Sequence, residues 1–368
     1  MDHVDDKRFM GAALRLSLWH LGLTGSNPSV GCVIAKDGKL VGAAVTALGG
    51  RPHAETQALD VAGEQARGAT AYVTLEPCAH YGRTPPCANA LVAAGVARVV
   101  VCQLDPDPRV SGRGLSILRE AGITVDVGLA AEEGRRVLAG YLMRNTKHRP
   151  HVTLKLAVSA DGMIGRPGEE VLITGPLARA QVHVLRAESD AILVGMGTAL
   201  ADDPELTVRI GDMAQRSPIR LVLDRRLELS LRSNLVRSAR DVPVIAVSVQ
   251  GAGGGDAPGG DAEGWNARRE ALMKAGVEVL EVPDLAGLLQ ALGARGISTL
   301  FVEGGATVAA AFLKADLADR IILSQGILEI GPGGLESPLT PSDMPANFVL
   351  VRSEAYGPDR CFEYERSS

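Results

Sequence analysis

The chain has 368 residues, the length of about two ordinary domains, and its 46% hydrophobic and 22% charged residues exclude a mainly disordered protein. No apolar stretch reaches the roughly 20 residues of a membrane span, and an odd number of cysteines, five, does not fit a disulfide framework. The net charge is +3 through Pro150 and −8 beyond it, and aromatic residues are 3%. The chain has no basic stripe and few aromatic residues on which bases could stack, so a polynucleotide partner is not expected. A small anionic substrate is compatible with this composition.

An α/β pattern fills the first part of the chain. Its acidic start has no apolar signal core, which predicts an unprocessed cytoplasmic protein. The first 20 residues predict a helix, and Asp37-Gly38 between two apolar runs predicts a hairpin over 30–46. Further helices are expected after His53, after Cys87 and at Gly114–Ala121, and strands at Ala71–Leu75, Ala97–Leu104 and Ile123–Val127. The alternation predicts a mixed sheet with flanking helices.

The polar segment Tyr141–Pro150 ends in a proline and predicts a domain boundary, with domains at 1–148 and 149–368. A second α/β pattern begins at His151. Its further strands are expected at Ala191–Gly195, Arg220–Asp224, Val244–Val249, Val277–Val282, Thr299–Glu303 and Arg320–Ser324. The glycine-rich stretch 251–261 has the composition of a phosphate loop but no Lys-Ser/Thr end, so a flexible surface insertion is the preferred interpretation.

Three residues in the first domain have the chemistry of a zinc site. His53 supplies an imidazole and Cys78 and Cys87 supply thiolates, which leaves a fourth tetrahedral position for water. Zinc lowers the pKa of such a water to about 7. Glu55, two residues past His53, is placed to move protons without binding the metal. We expect both His53 and Cys78 to begin helices, because free N–H groups at a helix start favour a thiolate.

Each of these elements alone is weak evidence. A lone His-x-Glu is common, and a Pro-Cys usually holds a buried small residue. Together and in this order they match the zinc deaminase signature. Eight residues separate Cys78 from Cys87, instead of the common Cys-x-x-Cys spacing. A loop of that length is expected to project toward the pocket and bring His80 or Arg83 to the substrate.

Four motifs, at 27–31, 52–55, 74–87 and 105–108, resemble the bifunctional riboflavin-biosynthesis deaminase/reductase family. The resemblance implies a cytidine-deaminase-like three-layer α/β domain followed by a dihydrofolate-reductase-like α/β domain. It implies that His53, Cys78 and Cys87 hold Zn²⁺ and that Glu55 is the catalytic proton shuttle. The substrate-binding residues expected in this domain are Asn27, His80 and Arg83; many relatives have Lys in place of Arg83.

The second domain has no Gly-x-Gly-x-x-Gly after a strand, so a Rossmann site is not supported. Instead, Thr299–Glu303 runs through Gly304 and Gly305 into a helical pattern. A strand that turns on glycines into a helix presents free N–H groups to phosphate. Alone this signal is weak, because Gly-Gly is equally often only a tight turn.

Motifs at 155–162, 173–175, 183–187, 190–195, 198–204 and 206–209 resemble the reductase half of the same family. The resemblance implies that NADPH faces Ala157, Leu172, Thr198, Asp202, Gly305, Ala306 and Thr307. It implies that the substrate faces Glu170, Arg186, Leu206, Arg209 and Glu303. Leu172 stands where relatives usually have Trp, and Glu170 where several have a small polar residue. The alternative for Arg186 and Arg209 is that they are ordinary surface charges.

The implied reactions are hydrolytic deamination of 2,5-diamino-6-(5-phosphoribosylamino)pyrimidin-4-one and NADPH reduction of its ribosyl group to ribityl phosphate. A homo-oligomer is expected, without a membrane or polynucleotide partner. Two alternatives stay open. A nucleic-acid-editing zinc deaminase with an accessory α/β domain would need a basic groove. A structural zinc module would close the fourth position with a protein ligand, for which the chain offers His80.

Overall fold

The chain divides into two units, Met1–His148 and Arg149–Ser368. A computed structural model describes residues 3–81, 85–250 and 262–367. Arg83 and the glycine-rich stretch 251–261, the predicted surface insertion, lie outside the described residues. In the described part of the chain, no helix combines the length and the apolar character needed to cross a bilayer.

The first unit is built on a five-stranded mixed sheet. Its strands are β1 (Gly31–Lys36), β2 (Lys39–Val45), β3 (Thr70–Leu75), β4 (Arg98–Gln103) and β5 (Thr124–Val127). Its helices are α1 (His3–Ser17), α2 (Ala54–Ala62), α3 (Cys87–Ala94), α4 (Arg113–Glu120), α5 (Ala131–Val137) and α6 (Ala139–Lys147). The strand order is β2-β1-β3-β4-β5, with β1 antiparallel to β2 and β3, and β3, β4 and β5 parallel. The predicted hairpin is confirmed, and Asp37 and Gly38 at its turn both have positive φ, as such turns require.

Both faces of this sheet are covered, because β1, β3 and β4 carry apolar side chains on both sides. One face packs against α2, α3 and α4, for example through Val73 and Leu91. The other packs against α1 and α5, with Tyr72 beside Phe9 at a ring separation of 5.4 Å. The expected three-layer α/β arrangement is therefore confirmed for this unit.

The second unit has a nine-stranded sheet in the order β10-β9-β8-β7-β11-β6-β12-β14-β13. The strands are β6 (His151–Val158), β7 (Ala191–Gly195), β8 (Ile219–Leu223), β9 (Val244–Val249), β10 (Glu278–Val282), β11 (Thr299–Val302), β12 (Arg320–Gln325), β13 (Phe348–Tyr356) and β14 (Asp359–Arg366). The helices are α7 (Pro176–Ala187), α8 (Met196–Asp202), α9 (Asn234–Arg237), α10 (Ala262–Ala275), α11 (Leu285–Ala294) and α12 (Ala306–Lys314). The first seven strands in spatial order are parallel, and β14 and β13 complete an antiparallel edge.

Parallel pairing brings the carboxyl ends of β6, β7 and β11 to one edge of this sheet, where ligands of open α/β sheets bind. Separate apolar clusters lie on the two faces, one containing Leu154 and Phe312 and the other Ile192 and Leu235. Each strand predicted from the sequence is present within a few residues of its expected bounds. The edge strand β13 has no counterpart among the predicted strands, because its residues are largely exposed and lack a continuous apolar pattern.

Candidate active sites

His53, Cys78 and Cys87 come together although the first and the last are 34 positions apart in the sequence. His53 is the residue before α2, Cys78 follows β3, and Cys87 begins α3. Nδ1 of His53 lies 3.6 Å from Sγ of Cys78 and 3.3 Å from Sγ of Cys87. Ligand atoms of a tetrahedral zinc with ordinary Zn–N and Zn–S bonds are about 3.6 Å apart. The donor set and its spacing therefore fit zinc.

One expectation about this site is wrong. Cys78 does not begin a helix: β3 ends at Leu75, Cys78 lies in the loop after it, and the helix begins at Cys87. The first turn of α3 nevertheless acts on Cys78, because the backbone N–H of Cys87 donates to Sγ of Cys78 over 3.3 Å. Hydrogen bonds from Cys87 and from His53 lower the pKa of Cys78, which favours the thiolate form that a metal binds.

Glu55 lies in the first turn of α2, beside the ligands but outside the group of metal-binding atoms. Its side chain is buried, with 3% exposed, and it lines a cavity next to the metal ligands. Burial raises the pKa of Glu55 to about 7, while the charge of His53 acts in the opposite direction. A carboxyl group in such a position can accept and return protons near neutral pH.

The cavity, called the zinc-site cavity below, has a volume of about 250 Å³. It is lined by His53, Glu55, Cys78, the predicted substrate residues Asn27 and His80, and Ser26, Pro28, Val30, Thr46, Arg51, Leu75, Glu76, Asp105, Asp107, Arg109, Val110, Tyr141, Arg144 and Asn145. Asn27 packs against Gly50, where a Cβ would lie 2.4 Å from Nδ2 of Asn27, so the missing side chain leaves room for the amide. His80 lies in the wall and not in the metal-binding group, as far as the described residues show. The third substrate residue predicted for this unit, Arg83, is outside them.

Several wall residues were not predicted as site residues. Asp105 and Asp107 belong to the Asp-Pro-Asp-Pro motif, which carried the resemblance but no assigned role. Tyr141, Arg144 and Asn145 lie on α6, in the segment taken for a domain boundary, most of which is helical. Their i, i+3, i+4 spacing is the sequence signal for one helix face.

Glu76 holds the loop 105–114, part of which lines the cavity, against the end of β3. Its buried carboxylate accepts from the backbone N–H groups of Asp105 at 3.4 Å, Gly112 at 3.1 Å and Gly114 at 3.1 Å. A side chain at Gly114 would clash with the Pro77 carbonyl, since a Cβ there would be 2.1 Å from that oxygen. The loop 105–114 is thus held tightly against the end of β3, next to Cys78.

In the second unit, the expected cofactor turn lies at the carboxyl ends of β7 and β11. Gly304 is required for close packing, because a Cβ at this position would be 2.5 Å from Val308 of α12. α12 begins at Ala306 after Gly305, and no side chain of the described residues caps it. Gly305 faces the Thr198 hydroxyl, 3.6 Å from where its Cβ would be. The start of a helix after a glycine, with a hydroxyl beside it, fits a phosphate of NADPH.

Arg186 and Glu303 form a buried ion pair. Nη2 of Arg186 is 2.6 Å from Oε2 of Glu303, and their side chains are 12% and 10% exposed. Nη1 of Arg186 also donates to the Thr207 carbonyl at 3.2 Å. Among the described residues, Nε of Arg186 and Oε1 of Glu303 are buried and find no hydrogen-bond partner. These two atoms remain for a polar ligand, so the surface-charge alternative does not describe Arg186.

The other predicted residues of this unit are less closely grouped. Arg209 pairs with Glu205 at 3.0 Å in a half-exposed bridge, and the Leu206 side chain is buried in the core. The Glu170 charge acts on Asp202, whose pKa is raised mainly by burial, so these two carboxylates are neighbours. Leu172 is 63% exposed, and Ala157 lies near the end of β6.

Lys155, on β6, is close enough to the Arg186–Glu303 pair for both charges to act on it. It lies in the motif at 155–162, to which the sequence analysis assigned no role for this residue. Burial lowers the pKa of Lys155, the Glu303 charge raises it and the Arg186 charge lowers it again. The alternation along β6 places Lys155 on the sheet face opposite Leu154 and Leu156. This alternation is the sequence signal that could have identified Lys155 as a polar residue on the face of the ion pair.

Two family models match the chain. Residues 3–103 match the cytidine and deoxycytidylate deaminase zinc-binding region, and residues 150–362 match the RibD C-terminal domain. The riboflavin biosynthesis protein RibD of Aquifex aeolicus is 40% identical over 342 residues, which cover 90% of this chain and 91% of that protein. RibD of Escherichia coli is 43% identical over 330 residues, 87% of each.

Solved structures agree. Acinetobacter baumannii RibD superposes with a TM-score of 0.85 at 37% identity over 100% of both chains. A diaminohydroxyphosphoribosylaminopyrimidine deaminase/5-amino-6-(5-phosphoribosylamino)uracil reductase of Thermotoga maritima gives 0.84 at 32% identity over 99% of both chains. Similarity of this extent spans both units and both sites, and the chain therefore belongs to the RibD family of riboflavin biosynthesis proteins.

Proposed function

We propose that residues 1–148 deaminate 2,5-diamino-6-(5-phosphoribosylamino)pyrimidin-4-one and that residues 149–368 reduce the ribosyl group of the product to ribityl phosphate with NADPH. The observation that carries the first half is the grouping of His53, Cys78 and Cys87 beside the buried Glu55, next to a cavity that His53, Cys78 and Glu55 line. The family membership connects this site to a riboflavin-biosynthesis deaminase and the second unit to its reductase.

In the deaminase, His53, Cys78 and Cys87 would hold Zn²⁺, and the ion would supply the acidity that makes a water molecule a nucleophile near pH 7. Asn27 and His80 line the cavity in which the pyrimidine ring is oriented, and Arg83 is the third proposed contact. Glu55 takes one proton from the attacking water and passes it to a ring nitrogen. It then takes the second proton and passes it to the leaving amino group. A C–O bond forms, the C–N bond breaks, and ammonia leaves.

In the reductase, bound NADPH would supply the hydride that reduces the opened ribose carbon. The start of α12, at Gly305, Ala306 and Thr307, binds a cofactor phosphate, with Thr198 beside it. Ala157, Leu172 and Asp202 complete the proposed cofactor side. Arg186 Nε and Glu303 Oε1, which have no hydrogen-bond partner among the described residues, face the substrate, and Glu170, Leu206 and Arg209 complete the proposed substrate side.

The two alternatives are weaker. A nucleic-acid-editing deaminase is not favoured, because relatives that match about nine-tenths of the chain are riboflavin biosynthesis proteins. A structural zinc module would have His80 as the fourth ligand. In the described residues the metal-binding group has three members, and His80 lines the cavity instead.

The site chemistry also suggests where and how the protein works. Two thiolate ligands and an NADPH-dependent step suit a reducing compartment, so we propose a cytoplasmic enzyme.

We further propose a homo-oligomer, since β13 at the sheet edge exposes Val349 and Leu350. The molar mass in solution, measured by light scattering, tests this proposal: a monomeric mass at micromolar concentration contradicts it.

One experiment tests both halves of the function. The purified protein is incubated with the diaminopyrimidine phosphate, first without and then with NADPH. Ammonia release without the cofactor, followed by NADPH oxidation after its addition, is the expected result. Ammonia without NADPH oxidation would leave only the deaminase half, and no ammonia would contradict the proposal at its first step.

A further inference from the structure

Arg220 is a buried cation with no part in the mechanism above. It lies on β8 and is 0% exposed. Its Nη1 donates to the Glu205 carbonyl at 3.0 Å and to the Ser238 hydroxyl at 2.8 Å. Its Nη2 donates to the Ser238 carbonyl at 3.0 Å and to the Val242 carbonyl. Removing a guanidinium from water costs free energy that neutral acceptors only partly offset, so packing alone does not account for an arginine here.

The Glu205 carbonyl belongs to a strained segment, residues 203–209. Asp203 and Leu206 have φ of 37° and 55°, in the left-handed region that bulky side chains avoid. The Leu206 side chain is nevertheless buried, with 2% exposed. A backbone in such a conformation persists only where the surrounding structure holds it. The contacts next to Leu206 are therefore the ones that maintain this conformation.

Two arginines hold the carbonyls on either side of Leu206. Arg220 binds the carbonyl of Glu205, the residue before it. Arg186 donates from Nη1 to the carbonyl of Thr207, the residue after it, at 3.2 Å. The other terminal nitrogen of Arg186 makes the buried ion pair described above. A shift of residue 205 would therefore move the acceptor that orients Arg186 on the substrate side.

The two ends of the 203–209 segment are held by other contacts. Asn234 binds Asp203 through its backbone N–H at 2.9 Å and its Nδ2 at 2.8 Å. The N–H groups of residues 208 and 209 donate to the Ser217 hydroxyl at 3.0 Å and to Nδ1 of His183 at 3.3 Å. Arg220 holds the middle of the segment, at residue 205.

We propose that Arg220 is a positioning residue of the reductase: it fixes the middle of the 203–209 segment and, through the Thr207 carbonyl, the orientation of Arg186 toward the substrate. This inference rests on the proposed function, which makes Arg186 a substrate contact. The planar guanidinium reaches the carbonyls of three residues at once, which the point charge of a lysine and an apolar side chain do not reproduce.

The test measures NADPH oxidation while the concentrations of the deaminated pyrimidine substrate and of NADPH are varied in turn. Arg220→Met is expected to lower kcat/KM for the pyrimidine about 10- to 100-fold, because a misplacement of about 1 Å far from the chemistry can cost this much. The loss is expected in the KM for the pyrimidine. The KM for NADPH and the ammonia release by residues 1–148 are expected to keep their wild-type values.

Three further variants separate positioning from folding. Arg220→Lys keeps a charged donor and is expected to recover part of the loss. Ser238→Ala removes one acceptor of the guanidinium and is expected to give a smaller loss of the same kind; it carries the test if Arg220→Met does not fold. Leu272→Ala opens a cavity in the apolar cluster that also contains Leu206. It is expected to lower the midpoint of denaturant unfolding and to keep both KM values.

A parallel rise of both KM values in Arg220→Met, or the same rise of the pyrimidine KM in Leu272→Ala, would show a merely structural role and overturn the inference. Wild-type kinetics in Arg220→Met, or in Ser238→Ala where the first variant does not fold, would overturn it as well. A wild-type protein that binds NADPH but does not oxidise it with the pyrimidine would overturn the proposed reductase function itself, and this inference with it.

Discussion

The backbone N–H of Cys87 points at Sγ of Cys78 over 3.3 Å, so one zinc ligand is hydrogen-bonded by the main chain of the next. The N–H of Ala88 also donates to the Cys78 carbonyl, at 3.2 Å. Both contacts come from the first turn of α3, whose dipole favours negative charge. The loop between the two cysteines is therefore closed at its base, and its length does not loosen the metal site.

Replacing Cys78 tests the metal site without reference to catalysis. Cys78→Ser is expected to lose most of its zinc, because a hydroxyl is a far poorer ligand than a thiolate. Elemental analysis gives the metal content, and the thiolate-to-metal charge-transfer band of the cobalt-substituted protein reports the remaining sulfur ligand. Cys361→Ser, in the second unit, is the control and keeps the zinc. Full zinc content in Cys78→Ser would remove this residue from the ligand set.

Replacing Glu55 tests proton transfer independently of metal binding. Glu55→Gln is expected to retain zinc, because Glu55 is outside the metal-binding group, and to lose ammonia release by about 10²- to 10⁴-fold, because the amide cannot carry a proton. Zinc content and initial rates are measured on the same preparation. Glu64→Gln, at an exposed position shortly after α2, is expected to keep both. Near-normal turnover in Glu55→Gln would remove Glu55 from the mechanism.

Glu76 is expected to hold the loop 105–114 in place. Glu76→Ala leaves the N–H groups of Asp105, Gly112 and Gly114 without their acceptor, which is expected to cost roughly 2–4 kcal/mol. Hydrogen exchange of these amides measures the effect directly and should accelerate in the variant. The exposed Glu64→Ala is the control. Unchanged protection at Gly112 and Gly114 would show that other contacts hold the loop.

The sequence predicted the zinc ligands and the three layers because both depend on local patterns: residue type, spacing and apolar periodicity. It did not predict which helix carries the thiolate-stabilising N–H groups, because this depends on where β3 ends and how the loop after Cys78 returns. Tyr141 and Arg144 were missed for a similar reason. Their segment is polar, as linkers usually are, and only the structure shows that α6 lines the zinc-site cavity.

In the second unit, the resemblance indicated Arg186 and Glu303 separately, and only the structure pairs them. Residues 117 positions apart give no local signal of an ion pair. Lys155 was missed although its strand was predicted, because its neighbourhood with this pair comes from the register of β6 against β11. Pairing across a sheet is the information that a single sequence does not contain.

The Arg186–Glu303 pair is expected to show strong energetic coupling. Arg186→Met and Glu303→Gln each leave one partner buried and unpaired, which costs about 3–5 kcal/mol for such pairs, and the double variant should cost less than the sum. The exposed Arg209–Glu205 pair, also at about salt-bridge distance, is the matched control, with a coupling below about 1 kcal/mol. Denaturant unfolding of the wild type, the two single variants and the double variant of each cycle measures both couplings. Additive effects in the buried pair would contradict the expectation.

His151 predicts how the stability of the second unit depends on pH. Burial, with the charge of Arg320 in addition, lowers the pKa of His151 from 6.5 to about 4. Above pH 6.5 the imidazole is neutral in both the folded and unfolded states, so it contributes no pH dependence. As the pH falls from 6.5 toward 4, the unfolded chain binds a proton that the folded chain does not, and stability decreases; below 4 this contribution is complete. His151→Gln should therefore lose less stability than the wild type between pH 7 and pH 4, as measured by denaturant unfolding, with the comparison at pH 7 as the reference. Parallel pH profiles for the two proteins would show that His151 titrates alike in both states.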